Sequence, residues 1–279
     1  MLNRQMHSRY RYSLSKLLLP ALRVAFGIPS KLSHDTALLL QGATPQPRAL
    51  NIENIPPDSP FVLTMNHYDH PGLAAWWGAS IVATTIAARR TCEPREIHMM
   101  MAREWWYPNG FERWTKQPFT NWFFGQISKA YGTIRLPPVL GNGEFRGEGA
   151  LAIRKAMALT RGDNPQLVGL APEGVTGKNL ALCAPPHGGG LFMLLLTYDR
   201  IPILPVGLYE DETHTLIANF GEPYMLSVPR HLSKTERDRE SARQVMIHIG
   251  RQLPPRMRGV YCEDIQSEIK IPLEEQAIY

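Results

Sequence analysis

The 279 residues carry 30 Lys and Arg against 25 Asp and Glu, a net charge of +5, with 44% hydrophobic and 20% charged residues. That content supplies a buried core and excludes an intrinsically disordered chain, and the length suits one large α/β domain or two small ones. Arg4, Arg9, Arg11, Lys16, Arg23 and Lys31 all precede the first acidic residue, Asp35, so the rest of the chain is nearly neutral, which argues against a nucleic-acid binder with a basic face.

In chain order, residues 1–45 form a basic N-terminal segment whose apolar stretch LLLPALRVAFGI is interrupted by Arg23. It reads as an amphipathic helix lying on an anionic membrane, where each Lys or Arg near the surface adds about 1 kcal/mol. A leading helix packed on the body is the plainer alternative. No small-residue cleavage site follows, which argues against a signal peptide.

Residues 46–279 are predicted as one α/β domain. Apolar runs bounded by turn residues at 61–65, 97–101, 167–171 and 203–208 read as buried strands. Residues 73–88 are apolar but too short for a membrane span and predict a core helix or an interfacial segment. The stretch 104–124, with Trp105, Trp106, Trp114, Trp122, Phe123 and Phe124, is predicted to pack in the core, a dip into a headgroup region being the alternative. A helix over 148–161 closes with Gly162 in a left-handed conformation. Ser233-Lys234-Thr235-Glu236 is a capping box for a helix with Ala242, Val245, Met246, Ile249 and Leu253 on its apolar face, stopped by Pro254. Strands alternating with helices predict a single α/β domain, a largely parallel sheet flanked by helices with its cleft at the strand carboxyl ends. Cys92, Cys183 and Cys262 lie far apart without a CxxC pair and read as buried, reduced thiols of an intracellular protein.

Two clusters follow strands. The first is Asn66-His67-Tyr68-Asp69-His70-Pro71-Gly72. A neutral imidazole takes a proton from a hydroxyl and a carboxylate orients it. Alternatively the segment is a polar turn, with Asp69 as N-cap and Pro71 in the first turn of the next helix. The second is Pro172-Glu173-Gly174, which also reads as an ordinary β-turn.

The string MNHYDHPG is similar to the HxHxDHxG signature of metallo-β-lactamase-fold hydrolases, with Met65 at its first His. That resemblance implies a zinc hydrolase using His67, Asp69 and His70, with further ligands such as His187 and His214; a thioether is a poor zinc ligand. The same string resembles the first block, NHxxxxD, of the PlsC-type glycerolipid acyltransferases, the lysophosphatidate acyltransferase family. Asn66-His67 match it, Gly72 stands at the Asp position, and the nearest carboxylate is Asp69. Tyr131-Gly132-Thr133-Ile134-Arg135 resembles the second block and Leu170-Ala171-Pro172-Glu173-Gly174-Val175-Thr176-Gly177 the third, with Val175-Thr176 in place of Thr-Arg. The Gly-rich start at 185–190, an apolar helix and Ile201–Gly207 resemble the run into the fourth. Four blocks in order over residues 61–210 favour the acyltransferase family over the zinc hydrolase, which accounts for the first block alone.

The acyltransferase resemblance implies transfer of a fatty acyl group from acyl-CoA or acyl carrier protein to a hydroxyl of a glycerophospholipid or lysophospholipid. His67 would be the general base and Asp69 its orienting carboxylate. Arg135 would meet the acceptor's phosphate, Glu173 and Gly174 would place the acceptor, and backbone donors near Gly174 would steady the oxyanion. It implies no metal or organic cofactor, and a peripheral enzyme on an anionic membrane surface at the cytoplasmic face. A Gly-rich helix start also offers free N–H groups to a phosphate. Gly72 at the Asp position motivates the alternative of a catalytically inactive, lipid-binding relative.

Overall fold

The computed structural model describes residues 10, 13–107, 110–137, 148–198 and 200–270. Arg4, Arg9 and Arg11 of the basic start lie outside the described residues. Seven strands, β1 (Arg48–Leu50), β2 (Val62–Met65), β3 (Ile97–Ala102), β4 (Ile134–Leu136), β5 (Leu167–Leu170), β6 (Ile203–Glu210) and β7 (Leu216–Phe220), form one sheet in the order β1-β7-β6-β2-β5-β3-β4. From β6 to β4 every pairing is parallel. β7 runs antiparallel to β6, and β1 pairs parallel to β7. All four residues of β2 and of β5 are buried, as are the first six of β6. A parallel sheet covered by helices on both faces has no polar side, so these strands are continuous apolar runs rather than alternating ones.

The helices are α1 (Leu14–Phe26), α2 (Leu32–Leu40), α3 (Trp76–Arg89), α4 (Gly110–Tyr131), α5 (Glu148–Arg161), α6 (Gly189–Thr197), α7 (Lys234–Arg251) and α8 (Cys262–Lys270). α2 packs on α3, α6 on α7, and α1 on α4. The capping box opens α7 as expected: Ser233 accepts from the Glu236 N–H while the Glu236 carboxylate accepts from the Ser233 N–H. α5 spans the expected residues, but Gly162 is not among the positive-φ residues, so that helix lacks the left-handed end. α1 has such an end instead, with Gly27 at φ 60° and the Ile28 N–H reaching the Arg23 carbonyl at 2.8 Å.

The structure corrects several further expectations. α3 begins only at Trp76, after Ala75, so Asp69 is not its N-cap. Tyr131 closes α4, and Arg135 sits within β4 rather than after a strand that starts at 131. Cys92 is exposed and the other two cysteines are half-buried, so the thiols are not all in the core. The α6 N-terminus is closed to an anion: the Asp238 carboxylate, from α7, already accepts the Gly188 and Leu191 N–H groups at 2.8 and 2.9 Å.

Phe124 of the aromatic stretch is buried as expected and Trp106 and Phe123 are half-buried, but the rest of it is turned outward. Phe111, Trp114, Phe119 and Trp122 of α4 are 76%, 77%, 62% and 49% exposed, while Gln117 and Thr120 face the body. There the buried Glu104 accepts from Gln117 Nε2 at 2.9 Å, and Thr120 Oγ1 accepts the Trp105 N–H at 3.3 Å. Beside it, α1 exposes Leu18, Leu19, Leu22 and Phe26. Arg23 points the other way, pairing with the buried Asp35, which also accepts from the Tyr131 hydroxyl at 3.0 Å. α1 is therefore tied to the body through the half-buried Arg23 and leaves its apolar stripe uncovered. Among the described residues no helix is long and apolar enough to cross a membrane.

Candidate active site

β2 and β5 are neighbours, so the two segments that follow them, 66–70 and 171–176, leave the sheet side by side at its carboxyl edge. Asn66 fixes the departure of the first. Its buried side chain imitates one more strand residue, donating Nδ2 to the Leu208 carbonyl at 2.9 Å and accepting the Leu208 N–H at 2.7 Å. The second segment turns at once. Pro172 and Glu173 occupy the corners of a tight turn closed by the Gly174 N–H on the Ala171 carbonyl at 3.1 Å, with Gly174 at φ 68°. That bond takes up the Gly174 donor, so this N–H is not available to an oxyanion.

The turn carries Glu173 inward. It is 2% exposed, and its two oxygens accept the His67 N–H at 2.9 Å and the Cys183 N–H at 2.8 Å. Burial raises its pKa, and the two backbone donors oppose that shift. Glu173 thus ties the end of β2 to the loop after β5 and holds the His67 backbone, with neither oxygen directed at a ligand.

His67 and Asp69 do meet, although only one residue separates them. Nδ1 of His67 is 3.2 Å from Asp69 Oδ1 and 2.8 Å from Thr176 Oγ1. Thr176 in turn donates to Asp69 Oδ1. A hydroxyl has a single proton, and a carboxylate only accepts. With that proton directed at Asp69, Thr176 Oγ1 must accept from His67, so Nδ1 carries the ring hydrogen and Nε2 presents a lone pair. No described residue bonds Nε2. The His67 and Asp69 side chains are 31% and 43% exposed, so the basic nitrogen is reachable.

His70 belongs to a different group. Its Nε2 lies 2.6 Å from Glu210 Oε2 at the end of β6, and its Nδ1 lies 3.0 Å from the Pro71 carbonyl. The Tyr68 hydroxyl also donates to Glu210 Oε2, at 3.2 Å; burial first and the carboxylate second keep that phenol protonated. His67, Asp69 and His70 therefore do not converge, and among the described residues no three His, Cys, Asp or Glu side chains are arranged to hold a metal ion. His187 is 3.0 Å from Asp238 at the start of α6, and His214 lies in the β6–β7 turn.

Arg135 is not brought to His67. β4 is three strands from β2, about 14 Å at the usual strand spacing. The Arg135 guanidinium bonds the carbonyls of Arg103 and Asn121, each at 3.3 Å, and the Asn121 side chain. Two members of the site were missed in the sequence. Thr176 stood in view only as a departure from the third block, and Glu210 lies two residues past the end of the expected strand 203–208, which extends to Glu210 in the structure. Beside the His67 group opens a cavity of about 640 Å³, lined by Tyr10, Asp69, His70, Trp76, Trp77 and Thr176 among others.

No family model matches the chain, and no curated protein matches it. Among solved structures it is similar to the crystal structure of the 1-acyl-sn-glycerophosphate (LPA) acyltransferase PlsC from Thermotoga maritima. The identity is 14%, over 83% of this chain and 78% of that one, with a TM-score of 0.37. A likeness of that degree says nothing about what this chain acts on.

Proposed function

We propose that the chain transfers an acyl group from a thioester, acyl-CoA or acyl carrier protein, to a lipid hydroxyl at a membrane surface. The observation that carries this reading is the Asp69–Thr176–His67 arrangement, which places a hydrogen on Nδ1 and leaves Nε2 basic and accessible. In the proposed reaction Nε2 takes the proton of the acceptor hydroxyl as its oxygen bonds to the thioester carbonyl carbon. The tetrahedral intermediate then expels the thiolate, which recovers the proton from the imidazolium. Asp69 stabilises that imidazolium through Thr176. The order of segments that resembles the acyltransferase family supports the same reading. So do the exposed apolar faces of α1 and α4, which suit an enzyme whose acceptor is a lipid.

Glu173 is assigned here to holding His67, and Arg135 is left outside the reacting group. The test is acyl transfer from labelled acyl-CoA and acyl carrier protein to mixed lysolipids in vesicles, for the unaltered chain and His67→Ala. We expect turnover by the unaltered chain and a loss of about 10²–10⁴ in the variant. Turnover that survives the substitution would remove His67 from the chemistry and the proposal with it.

A further inference from the structure

Residues 66–70, which follow β2, are held alternately from two sides. Asn66, Tyr68 and His70 are fastened to β6. Asn66 exchanges hydrogen bonds with the Leu208 backbone at 2.9 and 2.7 Å, and Tyr68 and His70 both reach the Glu210 carboxylate, at 3.2 and 2.6 Å. His67 and Asp69 face the loop after β5, where both meet Thr176. Extended backbone sends successive side chains to opposite sides, so fixing residues 66, 68 and 70 to one neighbour aims 67 and 69 at the other.

Asn66 holds the segment before His67, and Glu210 holds it beyond. Glu210 is itself firmly placed: its backbone pairs with Leu216 of β7, its N–H donates to the Tyr68 hydroxyl at 3.3 Å, and its carbonyl accepts from Arg256 at 3.2 Å. Tyr68 is buried, and the His70 and Glu210 side chains are 13% and 11% exposed, so little water is at hand to replace these bonds. Hydrogen bonds to a carboxylate are also the stronger kind. His70 Nδ1 lies 3.0 Å from the Pro71 carbonyl, so both of its nitrogens are engaged and neither is aimed at a substrate. Building on the acyl-transfer reading, we infer that Glu210 is a positioning residue for His67. Through Tyr68 and His70 it sets the backbone on which His67 and Asp69 meet Thr176, and so keeps the ring hydrogen on Nδ1 and the lone pair on Nε2.

The test combines nitrogen-15 NMR of the histidine rings in the full chain with kcat and KM from the vesicle assay. In the unaltered chain at alkaline pH, His67 should show a protonated Nδ1 and an unprotonated Nε2. Glu210→Ala should leave His67 exchanging between its two tautomers. It should lower kcat about 10²-fold, the cost of misplacing a catalytic group by about 1 Å, with KM changed less than about twofold. Glu210→Gln keeps an oxygen that accepts from Tyr68 or His70 and should lose only about tenfold, and it decides the matter alone should Glu210→Ala fail to fold. Added to His67→Ala, either change should cost nothing further, because its effect passes through His67. An unmoved tautomer and kcat in the folded variants overturn the inference and leave acyl transfer standing. A further loss on top of His67→Ala gives Glu210 a role that bypasses His67 and overturns the inference as well. Absence of turnover in the unaltered chain overturns the acyl-transfer reading, and the His67 tautomer then decides by itself whether Glu210 positions the ring.

Discussion

Thr176 has one hydroxyl proton, and its direction determines which nitrogen of His67 is basic. Replacing it with Val keeps the shape, removes the bridge and leaves Nδ1 only the 3.2 Å approach of Asp69. Loss of a hydrogen bond to a charged group corresponds to about 1.5–3 kcal/mol, so kcat should fall about 10- to 100-fold in Thr176→Val with KM little changed. Thr176→Ser should recover most of the rate. Equal rates for the Ser and Val variants would show that the hydroxyl has no positioning role. The sequence displayed His67 and Asp69 together because they are close along the chain. Thr176 is 107 residues beyond Asp69, and nothing in a string of residues says that two departures from a pattern touch each other. Glu173 was equally opaque: a Glu after a strand looks like a ligand-binding group, and only the fold reveals that two backbone N–H groups occupy its oxygens.

At the scale of elements, α4 carries a stripe of aromatic side chains on its solvent side. Phe111, Trp114, Pro118, Phe119 and Trp122 recur at helical spacing, a pattern that ordinarily marks a core face. Periodicity gives the stripe but not the side to which it turns. The interior of this region holds the buried Glu104, which Gln117 turns inward to satisfy, while the Thr120 hydroxyl donates to the Gln117 carbonyl and accepts the Trp105 N–H, so the polar side of the helix faces the body and the aromatics face outward. Exposed Arg113 and Lys116 lie over the rings of Trp106 and Tyr107, and α1 adds its own apolar stripe alongside. An anionic bilayer fits aromatics mixed with cations better than a dry protein partner does. Joint replacement of Trp114, Phe119 and Trp122 by Ala should lower partition into phosphatidylglycerol-containing vesicles at least tenfold, measured by co-sedimentation. The unfolding midpoint should hardly move, because these side chains bury little now. Undiminished partition would exclude α4 from the contact.

For the molecule as a whole, the parallel sheet was legible because β2, β3, β5 and β6 are apolar runs between helices. Their order was not, since pairing is decided by packing across the sheet rather than by local pattern. β1 and β7 escaped notice for related reasons: β1 is three residues long, and β7 returns against β6 instead of following a crossover helix. The same order puts the His67 group, after β2, and Glu210, at the end of the neighbouring parallel strand β6, at the carboxyl edge of the sheet, and puts His248 at the other end. There His248, on α7, stacks on Tyr224 with ring centroids 3.5 Å apart and planes 5° apart, and Tyr224 bridges to Ile203, the first residue of β6. Burial, with a smaller contribution from Arg251, lowers the His248 pKa from 6.5 to about 4. The folded ring is therefore neutral where the unfolded ring is charged, and between these two values the unfolded chain binds more protons. By linkage its contribution to stability is complete above pH 6.5 and is lost progressively as pH falls from 6.5 toward 4. The urea midpoint should drop across that window, and His248→Phe, which retains a ring over Tyr224, should flatten the drop. Carboxylates titrate in the lower part of the same range, so the difference between the two chains at pH 5 to 6 is the informative quantity. Parallel curves there would assign the acid sensitivity to carboxylates, while a flattened one locates it at the end of the sheet remote from the chemistry.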